Sequence, residues 1–511
     1  MNILYTIRRA AQLFANNQAV VHDSGTVTYG EFHRNAKRAA SFLLQHAAPG
    51  ERVATLMLNR PEYFELYFAT AISGVIIVPL NIRWGLQDFV FSLNDSGATA
   101  LVVDERFAPL AAGIRKQCPS LQTILYSGDG PAPEGMLDYR AGVAAAPELN
   151  EIREPEPNDL AGLFYTSGTT GGPKAAMLSH GNLYANAVSM LLTDFPESSV
   201  YLHAAPMFHL ADIASLYLCV MRGTAHAFIK AFDAEECMKA VARFHVTSVT
   251  LVPTMISLIV NHPKAREYGL SSLHTVMYGA SPMPLALLKR TMALLPDCNF
   301  IQAYGMTEMS PVITILEPED HRRSWPDGPF NPVISSGRPA PGVEARVVDD
   351  LDNDVPVGTP GEIIARGASR MLGYWNREEV NNEVLRGGWM HTGDMGCFDE
   401  RGFLYIMDRK KDMIKTGGEN VYSPEVEAAL VGHPAVLEAA VIGLPHEKWG
   451  ETIRAVVVLR SGASATEADL IGYCRIHLTH FKCPTSVTFI EALPKGGTGK
   501  VQKNLLRKQY S

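Results

Sequence analysis

The sequence lacks the features of a disulfide scaffold, of a nucleic-acid-binding protein and of a membrane span. Its seven cysteines are odd in number and never in C-x-x-C spacing, which argues against a disulfide framework or a zinc site and for a reducing cytosol. A net charge of −8 gives no reason to expect nucleic-acid binding. The longest apolar stretch, Tyr67 to Leu80, is interrupted by polar residues, glycine and proline and is too short to span a bilayer. We therefore expect a cytoplasmic protein without a transmembrane segment.

Targeting signals and repeats are missing as well. Basic Arg8 and Arg9 stand behind the first apolar residues and no small-residue cleavage site follows, so a secretory signal is not expected. We find no internal repeat and no low-complexity segment. With 47% hydrophobic and 19% charged residues, the sequence has the balance of a globular protein. Its 511 residues are too many for one ordinary core, and two or more domains are predicted.

Short β-branched runs alternate with helical patterns through the first half of the chain. Such alternation predicts βαβ units and parallel sheets covered on both faces, that is, an α/β fold with a large N-terminal domain. After about Ser335, short strands separated by Gly/Pro/Asp turns predict a small β-rich subdomain. The predicted strands are Val53–Met57, Val75–Leu80, Ala100–Val103, Leu121–Leu125, Leu160–Phe164, Thr247–Val252, Thr275–Tyr278, Phe300–Ala303, Ala345–Val348, Gly361–Ala365 and Phe403–Met407.

The last hundred or so residues have their own plan. Strands near Ala439–Ile442, Arg454–Leu459 and Ser486–Ile490 and a helix near Thr466–His480 predict a small α+β C-terminal domain. The charge cluster Asp408-Arg409-Lys410-Lys411-Asp412 precedes this region, and it is typical either of a solvated linker or of a hinge. We place the domain boundary there, with an N-terminal domain at 1–410 and a C-terminal domain at 411–511.

The most informative stretch runs from Tyr165 to Lys174 and reads YTSGTTGGPK. Glycines let backbone N–H groups approach an anion, the hydroxyl residues donate further hydrogen bonds, and the lysine adds a point charge. The spacing G-x-x-x-x-G-K-[ST] of the common phosphate loop fails here, because Ala175 follows Lys174. The pattern therefore predicts a polyphosphate-binding loop of a different kind, although a Gly/Ser/Thr-rich run can also be an ordinary surface turn.

This run resembles the signature of the adenylate-forming superfamily, which includes acyl- and aryl-CoA synthetases, peptide-synthetase adenylation domains and beetle luciferases. Five further segments match the family in its order. They are Tyr304–Glu308, Trp389–Asp394, Asp408–Asp412, Lys415–Asn420 and Pro494–Lys500. In the last segment Lys495-Gly496-Gly497 departs from the usual basic residue and non-glycine pair, whereas Thr498-Gly499-Lys500 is intact. The resemblance covers nearly the whole catalytic span and implies an active enzyme.

The resemblance implies a site for ATP and Mg²⁺. Thr307 is expected to donate to a phosphate, Glu308 to hold the Mg²⁺, and Lys500 to bridge the substrate carboxylate and the α-phosphate. Asp394 is expected to bind the ribose hydroxyls, with Arg409 as a second ribose or phosphate contact. The implied ATP- or AMP-binding set is Thr166, Ser167, Gly168, Thr169, Thr170, Gly171, Lys174, Gly279, Ala280, Ser281, Gln302, Ala303, Tyr304, Gly305, Met306, Thr307, Asp394 and Arg409.

The implied reaction has two steps. A carboxylate attacks the α-phosphate of ATP and gives an acyl adenylate and pyrophosphate, and a thiol then attacks the adenylate and expels AMP. Lys500 and the Gly417-Gly418 loop belong to the same small domain but serve different steps. The resemblance therefore implies a mobile C-terminal domain that rotates about Lys411.

Coenzyme A is the expected acceptor. Trp449 matches a position that packs on the adenine of coenzyme A, although a tryptophan at a helix start is equally typical of ordinary packing. Cys483 occupies a place where some CoA ligases have arginine, which leaves Lys482 as a substitute phosphate contact. The sequence carries no fused carrier domain, which favours free coenzyme A. The implied CoA-binding residues are Arg83, Lys415, Gly417, Gly418, Glu419, Trp449 and Lys482.

The resemblance also implies an acyl pocket gated by Phe208 and His209, and His209 joins Thr307, Glu308 and Lys500 as a candidate catalytic residue. The pocket candidates are mostly apolar and small, which predicts a hydrophobic fatty, aryl or polycyclic acid. An amino acid substrate would need a carboxylate to bind its α-amino group. Asp212 is the one evident candidate, so an amino acid substrate is disfavoured. The full set is Phe208, His209, Asp212, Val252, Pro253, Met255, Gly279 and Gln302.

Alternatives within and outside this enzyme class stay open. The adenylate could pass to the phosphopantetheine of a carrier protein, or the scaffold could serve a luciferase-type oxygenase. A catalytically silent homologue that binds acyl ligands or nucleotides is disfavoured by the intact set of Lys174, Glu308, Asp394, Arg409 and Lys500. A homodimer and a peripheral contact with membranes are both compatible with the sequence.

Overall fold

The computed structural model describes residues 1–166, 173–192, 196, 199–326, 328, 330–495 and 501–511. Within these ranges the strands, labelled β1 to β26 in chain order, are Gln18–His22, Gly25–Thr28, Arg52–Leu56, Ile76–Pro79, Ala100–Val103, Thr123–Tyr126, Leu137–Asp138, Leu160–Thr166, Lys174–Ser179, Val200–His203, Ala225–Phe228, Ser248–Leu251, Thr275–Gly279, Asn299–Gly305, Val312–Leu316, Arg338–Pro339, Val343–Val348, Gly361–Gly367, Gly373–Tyr374, Met390–Phe398, Leu404–Arg409, Ile414–Thr416, Glu419–Val421, Val436–His446, Gly450–Leu459 and Ser486–Phe489. The α-helices, labelled α1 to α16, are Leu4–Leu13, Tyr29–Leu43, Pro61–Ser73, Leu86–Ser96, Ala108–Arg115, Tyr139–Ala145, His180–Ser189, Leu210–Arg222, Ala234–Phe244, Pro253–Val260, Leu285–Leu294, Pro318–Arg322, Glu378–Val384, Ser423–Val431, Glu467–His477 and Lys503–Tyr510.

Several helices begin where a side chain caps the free N–H groups of the first turn. At the start of α2, the Thr28 hydroxyl accepts from the Glu31 N–H and the Glu31 carboxylate accepts from the Thr28 N–H. The same reciprocal arrangement opens α15 with Thr466 and Asp469. Each such cap is worth about 1 kcal/mol, so these short polar signals fix where the helices start.

By its internal contacts the chain divides into two compact units, of which the first comprises residues 1–345 and 365–390. A nine-stranded sheet in this unit has the order β16-β15-β14-β13-β12-β10-β11-β1-β2, in which β14, β13, β12, β10, β11 and β1 are parallel. An eight-stranded sheet has the order β19-β9-β8-β4-β3-β5-β6-β7, in which β9 is antiparallel to both of its neighbours, β8 and β19, and the other pairs are parallel. These counts refer to the described residues. Both sheets are mainly parallel, as predicted.

Helices cover both sheets because the strands are apolar on both faces. One core contains residues of both sheets, such as Ile301 and Phe164, together with Phe64 of α3 and Leu216 of α8. A second core lies between the nine-stranded sheet and α9, α10 and α11, and a third between the eight-stranded sheet and α4 and α5. The prediction of an α/β fold with stacked βαβ sheets is confirmed. None of the helices in the described part of the chain is long and apolar enough to cross a membrane.

The second unit comprises residues 346–364 and 391–511. Strands β17, β18, β20 and β21 form a four-stranded sheet in that order, which matches the predicted β-rich region. A five-stranded sheet has the order β23-β22-β25-β24, with β26 parallel to β25. Its two faces have separate cores, one with α14 and α15 and the other with α16. The predicted α+β plan of the C-terminal residues agrees with this unit.

The charge cluster at residues 408–412 is folded into the second unit. Asp408 is buried and accepts hydrogen bonds from the backbone N–H (2.7 Å) and hydroxyl (2.6 Å) of Ser423. Lys410 and Lys411, between which the boundary was predicted, both lie inside this unit, because residues 391–409 share a sheet with residues 346–364. A domain boundary with rotation about Lys411 stays a prediction.

Candidate functional site

Four neighbouring parallel strands of the first unit end at one edge of the nine-stranded sheet. These strands are β10, β12, β13 and β14, adjacent in the order β14-β13-β12-β10. Ligands of open α/β sheets bind outside the carboxyl ends of the strands. Directly after these ends stand the segments 204–209, 252–253, 280–281 and 306–308. The fold therefore collects most of the predicted acyl-pocket residues and much of the predicted nucleotide site along one edge.

Strand β14 extends two residues further than predicted. Tyr304 and Gly305 are not in a loop after the strand but within it, because β15 pairs antiparallel and aligns Tyr304 with Thr314 and Gly305 with Val312. A Cβ atom added to Gly305 would lie 1.8 Å from the carbonyl oxygen of Pro311. Only glycine allows the two backbones to approach this closely, so this position of the motif is dictated by packing.

The turn after β13 carries unusual backbone geometry. Ala280, between Gly279 and Ser281, has φ of +64°, the left-handed region that costs a residue with a Cβ atom about 1 kcal/mol. It is exposed, so no core packing requires this conformation. Backbone strain of this kind concentrates at ligand sites, and contact of residues 279–281 with a ligand stays a prediction.

The backbone just before the predicted acyl gate is held by hydrogen bonds from two side chains. The Asn59 amide donates to the carbonyls of His203 (3.1 Å) and Ala205 (2.8 Å), and its oxygen accepts from the Met207 N–H at 2.8 Å. The Tyr67 hydroxyl donates to the Met207 carbonyl at 2.6 Å. Phe208 and His209 follow directly, with Phe208 buried and His209 partly exposed. The backbone leading to the predicted gate is thus held by the side chains of Tyr67, in the middle of α3, and of Asn59, which precedes this helix.

The location of Asp212 differs from the prediction that it lines the acyl pocket. It is fully buried, and its carboxylate accepts from the Tyr201 hydroxyl (3.2 Å) and lies 2.5 Å from Nδ1 of His203. Nε2 of His203 lies 2.9 Å from Nδ1 of His226, and burial lowers the pKa of His226. The carboxylate is therefore committed to a polar network in the core and is not free to bind a substrate ammonium group.

The other pocket candidates lie at the ends of β12, β13 and β14. Val252 precedes α10, Pro253 is its first residue, and Met255 is buried in its first turn. Gln302 is partly exposed and accepts a hydrogen bond from the Tyr278 hydroxyl at 3.4 Å. Apart from Gln302 these side chains are apolar, which agrees with the prediction of a hydrophobic acid.

The predicted phosphate loop lies between two strands, β8 and β9, that pair antiparallel with each other. Strand β8 ends with Thr166 and β9 begins with Lys174, and these two residues are cross-strand partners. The Thr166 hydroxyl donates to the Lys174 carbonyl at 3.3 Å. The predicted site residues Ser167, Gly168, Thr169, Thr170, Gly171 and Lys500 lie outside the residues that the structure describes.

Tyr374, which sequence reasoning missed, contacts two of the predicted site residues, Glu308 and Lys174. The Tyr374 hydroxyl donates to Oε1 of Glu308 at 2.5 Å, and Nζ of Lys174 lies 5.7 Å from the centre of the Tyr374 ring. Glu308 is buried, and its carbonyl accepts from the Met371 N–H at 2.8 Å. In the sequence, the aromatic pair Tyr374-Trp375 after a glycine is only a weak signal of a functional residue, because hydrophobic periodicity alone assigns such a pair to core packing.

Glu308 fits the donor set that Mg²⁺ uses in nucleotide sites. Mg²⁺ usually binds one or two carboxylates together with substrate phosphates and water, rather than a cage made only of protein groups. Within the described ranges no cluster of three or more His, Cys, Asp or Glu side chains could hold a metal ion. A single buried carboxylate that shares Tyr374 as a contact with Lys174 is consistent with a metal that arrives with ATP.

In the second unit, the two predicted ribose contacts are cross-strand neighbours. Asp394 on β20 is paired with Arg409 on β21, and Nε of Arg409 lies 2.7 Å from Oδ1 of Asp394. The Asp394 N–H donates to the Thr392 hydroxyl at 3.0 Å. Asp394 is buried while Arg409 is exposed, so the guanidinium orients a carboxylate at the edge of the sheet.

The predicted CoA residues Gly417 and Trp449 meet at two hairpin tips of this unit. The Gly417 N–H donates to the Trp449 carbonyl at 2.8 Å, and Thr416 pairs with Gly450. Trp449 stands between β24 and β25 rather than at a helix start, because the two long strands turn there. Trp449 is 48% exposed, so packing in the protein interior does not account for this large aromatic residue.

The remaining predicted CoA and hinge residues are mostly at the surface. Lys411, Lys415 and Glu419 of the second unit and Arg83 of the first are exposed. Lys482 is already paired with Glu425, with both carboxylate oxygens at 2.8 Å from its Nζ atom. It would have to leave this pair before it contacted a phosphate group.

Known proteins are similar to this chain in both sequence and fold. Residues 7–375 match the family model described as AMP-binding enzyme, and residues 425–500 match the AMP-binding enzyme C-terminal domain. A feruloyl-CoA synthase of Amycolatopsis sp is 37% identical over 509 residues, which cover 98% of each chain. A fatty acid–[acyl-carrier-protein] ligase of Streptomyces coeruleorubidus is 32% identical over 511 residues, 98% of this chain and 95% of that protein.

Among solved structures, the o-succinylbenzoate CoA synthetase of Bacillus subtilis in complex with its acyl-adenylate intermediate aligns with a TM-score of 0.86 and 30% identity. The alignment covers 99% of this chain and 98% of the synthetase. Both domain models, the relatives and the solved structure agree with one another along nearly the full length. The chain therefore belongs to the AMP-binding enzyme family, and the predictions of this family, of an α/β fold and of an AMP-forming acid–CoA ligase are confirmed.

Proposed function

We propose that this enzyme converts a hydrophobic carboxylic acid, MgATP and coenzyme A into an acyl-CoA, AMP and pyrophosphate through an acyl adenylate. The observation that carries the proposal is the contact of Lys174 and Glu308 with one tyrosine, beside the sheet edge that gathers the acyl-pocket candidates. A cationic side chain, a carboxylate suited to Mg²⁺ and an apolar pocket are the groups that adenylation requires.

In the first step the acid must approach the α-phosphate in line with the leaving pyrophosphate. Such displacements depend mainly on positioning and on neutralising charge, which Mg²⁺ supplies when it is bound. We assign Lys174 to the phosphates and Glu308 to the metal, with Thr307 beside it. Lys500 is assigned to the carboxylate and the α-phosphate in the same step.

In the second step a thiol displaces AMP. Asp394 and Arg409 are assigned to the nucleotide, and the Gly417 loop and Trp449 to the pantetheine arm and adenine of coenzyme A. The exposed indole ring of Trp449 supports this role, because an aromatic face open to solvent can stack on a base. Rotation about Lys411 would let Lys500 and the Gly417 loop act in turn.

The substrate class follows from what the pocket candidates can bind. Their side chains are apolar, and Asp212 is held by His203 and Tyr201, so an α-amino acid has no carboxylate partner among the candidates. We therefore propose aryl-propenoic and fatty acids as the first classes to test. The similarity to a feruloyl-CoA synthase adds support for the aryl-propenoic class. We place the enzyme in the cytoplasm, where ATP and coenzyme A are supplied.

The proposal is tested by mass-spectrometric product analysis with MgATP, coenzyme A and a panel of aryl-propenoic, fatty, benzoic and α-amino acids. Acyl-CoA and AMP from one hydrophobic class are expected. Formation of an aminoacyl adenylate, or no adenylate from any acid, would contradict the proposal.

Transfer to a carrier protein is the second candidate. The pairing of Lys482 with Glu425 and the presence of Cys483 in place of arginine both weaken the expected contact with the CoA phosphates. Supplying coenzyme A and a phosphopantetheinylated carrier protein in separate reactions distinguishes the two acceptors. Adenylate that accumulates with coenzyme A but is consumed with the carrier protein would favour this second candidate.

A further inference from the structure

We propose that Tyr374 is a positioning residue that orients the carboxylate of Glu308 for the metal–nucleotide complex and couples it to Lys174. The inference rests on the proposed function, in which Glu308 and Lys174 contact MgATP. Tyr374 itself belongs to none of the six motifs identified in the sequence. Its hydroxyl group and its ring face contact two groups that come from distant parts of the chain.

The contact with Glu308 is a hydrogen bond to a buried carboxylate. Tyr374 is 8% exposed and Glu308 5% exposed, and the O–O distance is 2.5 Å. A hydrogen bond to an ionised acceptor is about twice as strong as one between neutral groups. A carboxylate has about four acceptor positions, so the hydrogen bond from Tyr374 orients it and leaves a lone pair that can coordinate a metal ion.

Tyr374 is itself held in place through its backbone. Strand β19 pairs with β9, which carries Lys174, and places Tyr374 opposite Ala176. The Asn381 side chain accepts from the Tyr374 N–H at 2.6 Å and donates to the Tyr374 carbonyl at 2.9 Å. Gly373 has φ of +145°, and a Cβ atom there would lie 2.9 Å from the Asn381 amide nitrogen. The position of the hydroxyl group is therefore determined by the fold rather than by a flexible loop.

The ring face gives Tyr374 a second contact. Nζ of Lys174 lies 5.7 Å from the ring centre, within the range of a cation–π interaction. Tyr374 thus contacts the lysine through its ring and the carboxylate through its hydroxyl. The two contacts can be separated, because phenylalanine keeps the ring and removes the hydroxyl, whereas leucine removes both.

The chain offers a matched control for a purely structural role. The Tyr139 hydroxyl donates to Oε1 of Glu65 at 2.9 Å, and Tyr139 is fully buried. These residues lie on α6 and α3 and belong to none of the predicted site sets. Tyr139→Phe therefore removes a buried tyrosine–glutamate hydrogen bond without touching the phosphate-site residues.

The test measures binding of Mn²⁺ and a non-hydrolysable ATP analogue to the full-length protein. Bound Mn²⁺ is followed by electron paramagnetic resonance, and binding of the analogue without metal is measured separately in EDTA. Tyr374→Phe is expected to weaken Mn²⁺ binding in the ternary complex about tenfold, as is usual when a residue supporting a metal ligand is lost. Metal-free binding of the analogue should be unchanged. Tyr374→Leu should weaken both, and Tyr139→Phe neither.

Asn381→Ala provides a second variant, which loosens the Tyr374 backbone while leaving every group of the phosphate site in place. A smaller loss of Mn²⁺ binding in the same direction is expected, with thermal unfolding of all variants as the check on folding. Wild-type Mn²⁺ binding by Tyr374→Phe, or equal losses in Tyr374→Phe and Tyr139→Phe, would overturn the inference while the proposed function stands. Failure of the wild-type protein to bind the analogue would overturn both.

Discussion

At the residue scale, burial governs how Glu65 titrates. It is partly buried on α3, and loss of hydration raises its pKa to about 7, an effect to which Glu62 adds and which the Tyr139 hydroxyl opposes. The pKa in the folded state is therefore above the unfolded value of about 4.3. Between these two values the folded state binds more protons, so this group lowers stability as pH rises toward 7.

Glu65→Gln should therefore stabilise the protein in a pH-dependent way. At pH 5 the change in stability should be small, and at pH 8 the variant should be more stable by up to about 3 kcal/mol, because glutamine carries no charge to bury. Melting temperatures of wild-type and variant protein at both pH values check this. Glu134→Gln, which removes an exposed carboxylate, is the control and should leave the melting temperature unchanged at both pH values. An equal shift at pH 5 and pH 8 would contradict the expectation.

Single residues also show what sequence reasoning can and cannot identify. Glu308 could be singled out because it stands in a motif beside a strand end, and its role as a metal ligand stays a prediction. The role of Tyr374 could not be predicted, since Glu308 is 66 positions away in sequence and the strand that carries Lys174 meets Tyr374 only through the pairing of β19 with β9. Its short distance along the chain from His209 predicts that Asp212 lies in the pocket, whereas its side chain lies in the core beside His203.

At the scale of elements, the predicted CoA-binding residues Gly417 and Trp449 of the second unit lie at the tips of hairpins. The tips of the β22–β23 and β24–β25 hairpins are joined by the hydrogen bond from Gly417 to Trp449. This contact holds the indole at the surface, with Nζ of Lys448 4.6 Å from the ring centre. A stacked base at this position would gain both the aromatic face and the positive charge.

Trp449→Ala should therefore raise the KM for coenzyme A about tenfold, because the loss of one stacking contact costs about 1 to 1.5 kcal/mol. Adenylate formation should be unchanged. The measurement compares KM for coenzyme A with the rate of ATP–pyrophosphate exchange. Leu437→Ala, at an exposed apolar residue of β24, serves as the control. If exchange falls as much as thioester formation, Trp449 acts in folding rather than in binding the acceptor.

At the scale of the whole molecule, the two half-reactions are expected to depend on different residues. Lys500→Ala should abolish adenylate formation, by at least about 100-fold, and largely spare thioester formation from a supplied acyl adenylate. Lys411→Pro should do the reverse, because proline restricts the backbone at the predicted pivot. Stopped-flow or quench assays of each half-reaction check both variants. Equal losses in the two half-reactions would contradict domain alternation.

The sequence by itself determined the class of the fold and of the reaction. Alternating β-branched runs and helical patterns are local properties, and every strand predicted in the first half overlaps a strand of the structure. The motifs predicted to bind phosphate and nucleotide are also local, since each is a short run of glycine, hydroxyl and charged residues at a strand end. Local patterns of this kind can be recognised without knowing which segments meet.

Tertiary structure decided the contacts between segments that are far apart in sequence. It continued β14 through Gly305 by pairing it with β15, placed Trp449 at a hairpin tip, and turned Asp212 into the core. It also brought Tyr374 to both Glu308 and Lys174. The physical reason is that side-chain environment depends on which strands pair and on how much water burial removes, and neither quantity is encoded in any one segment.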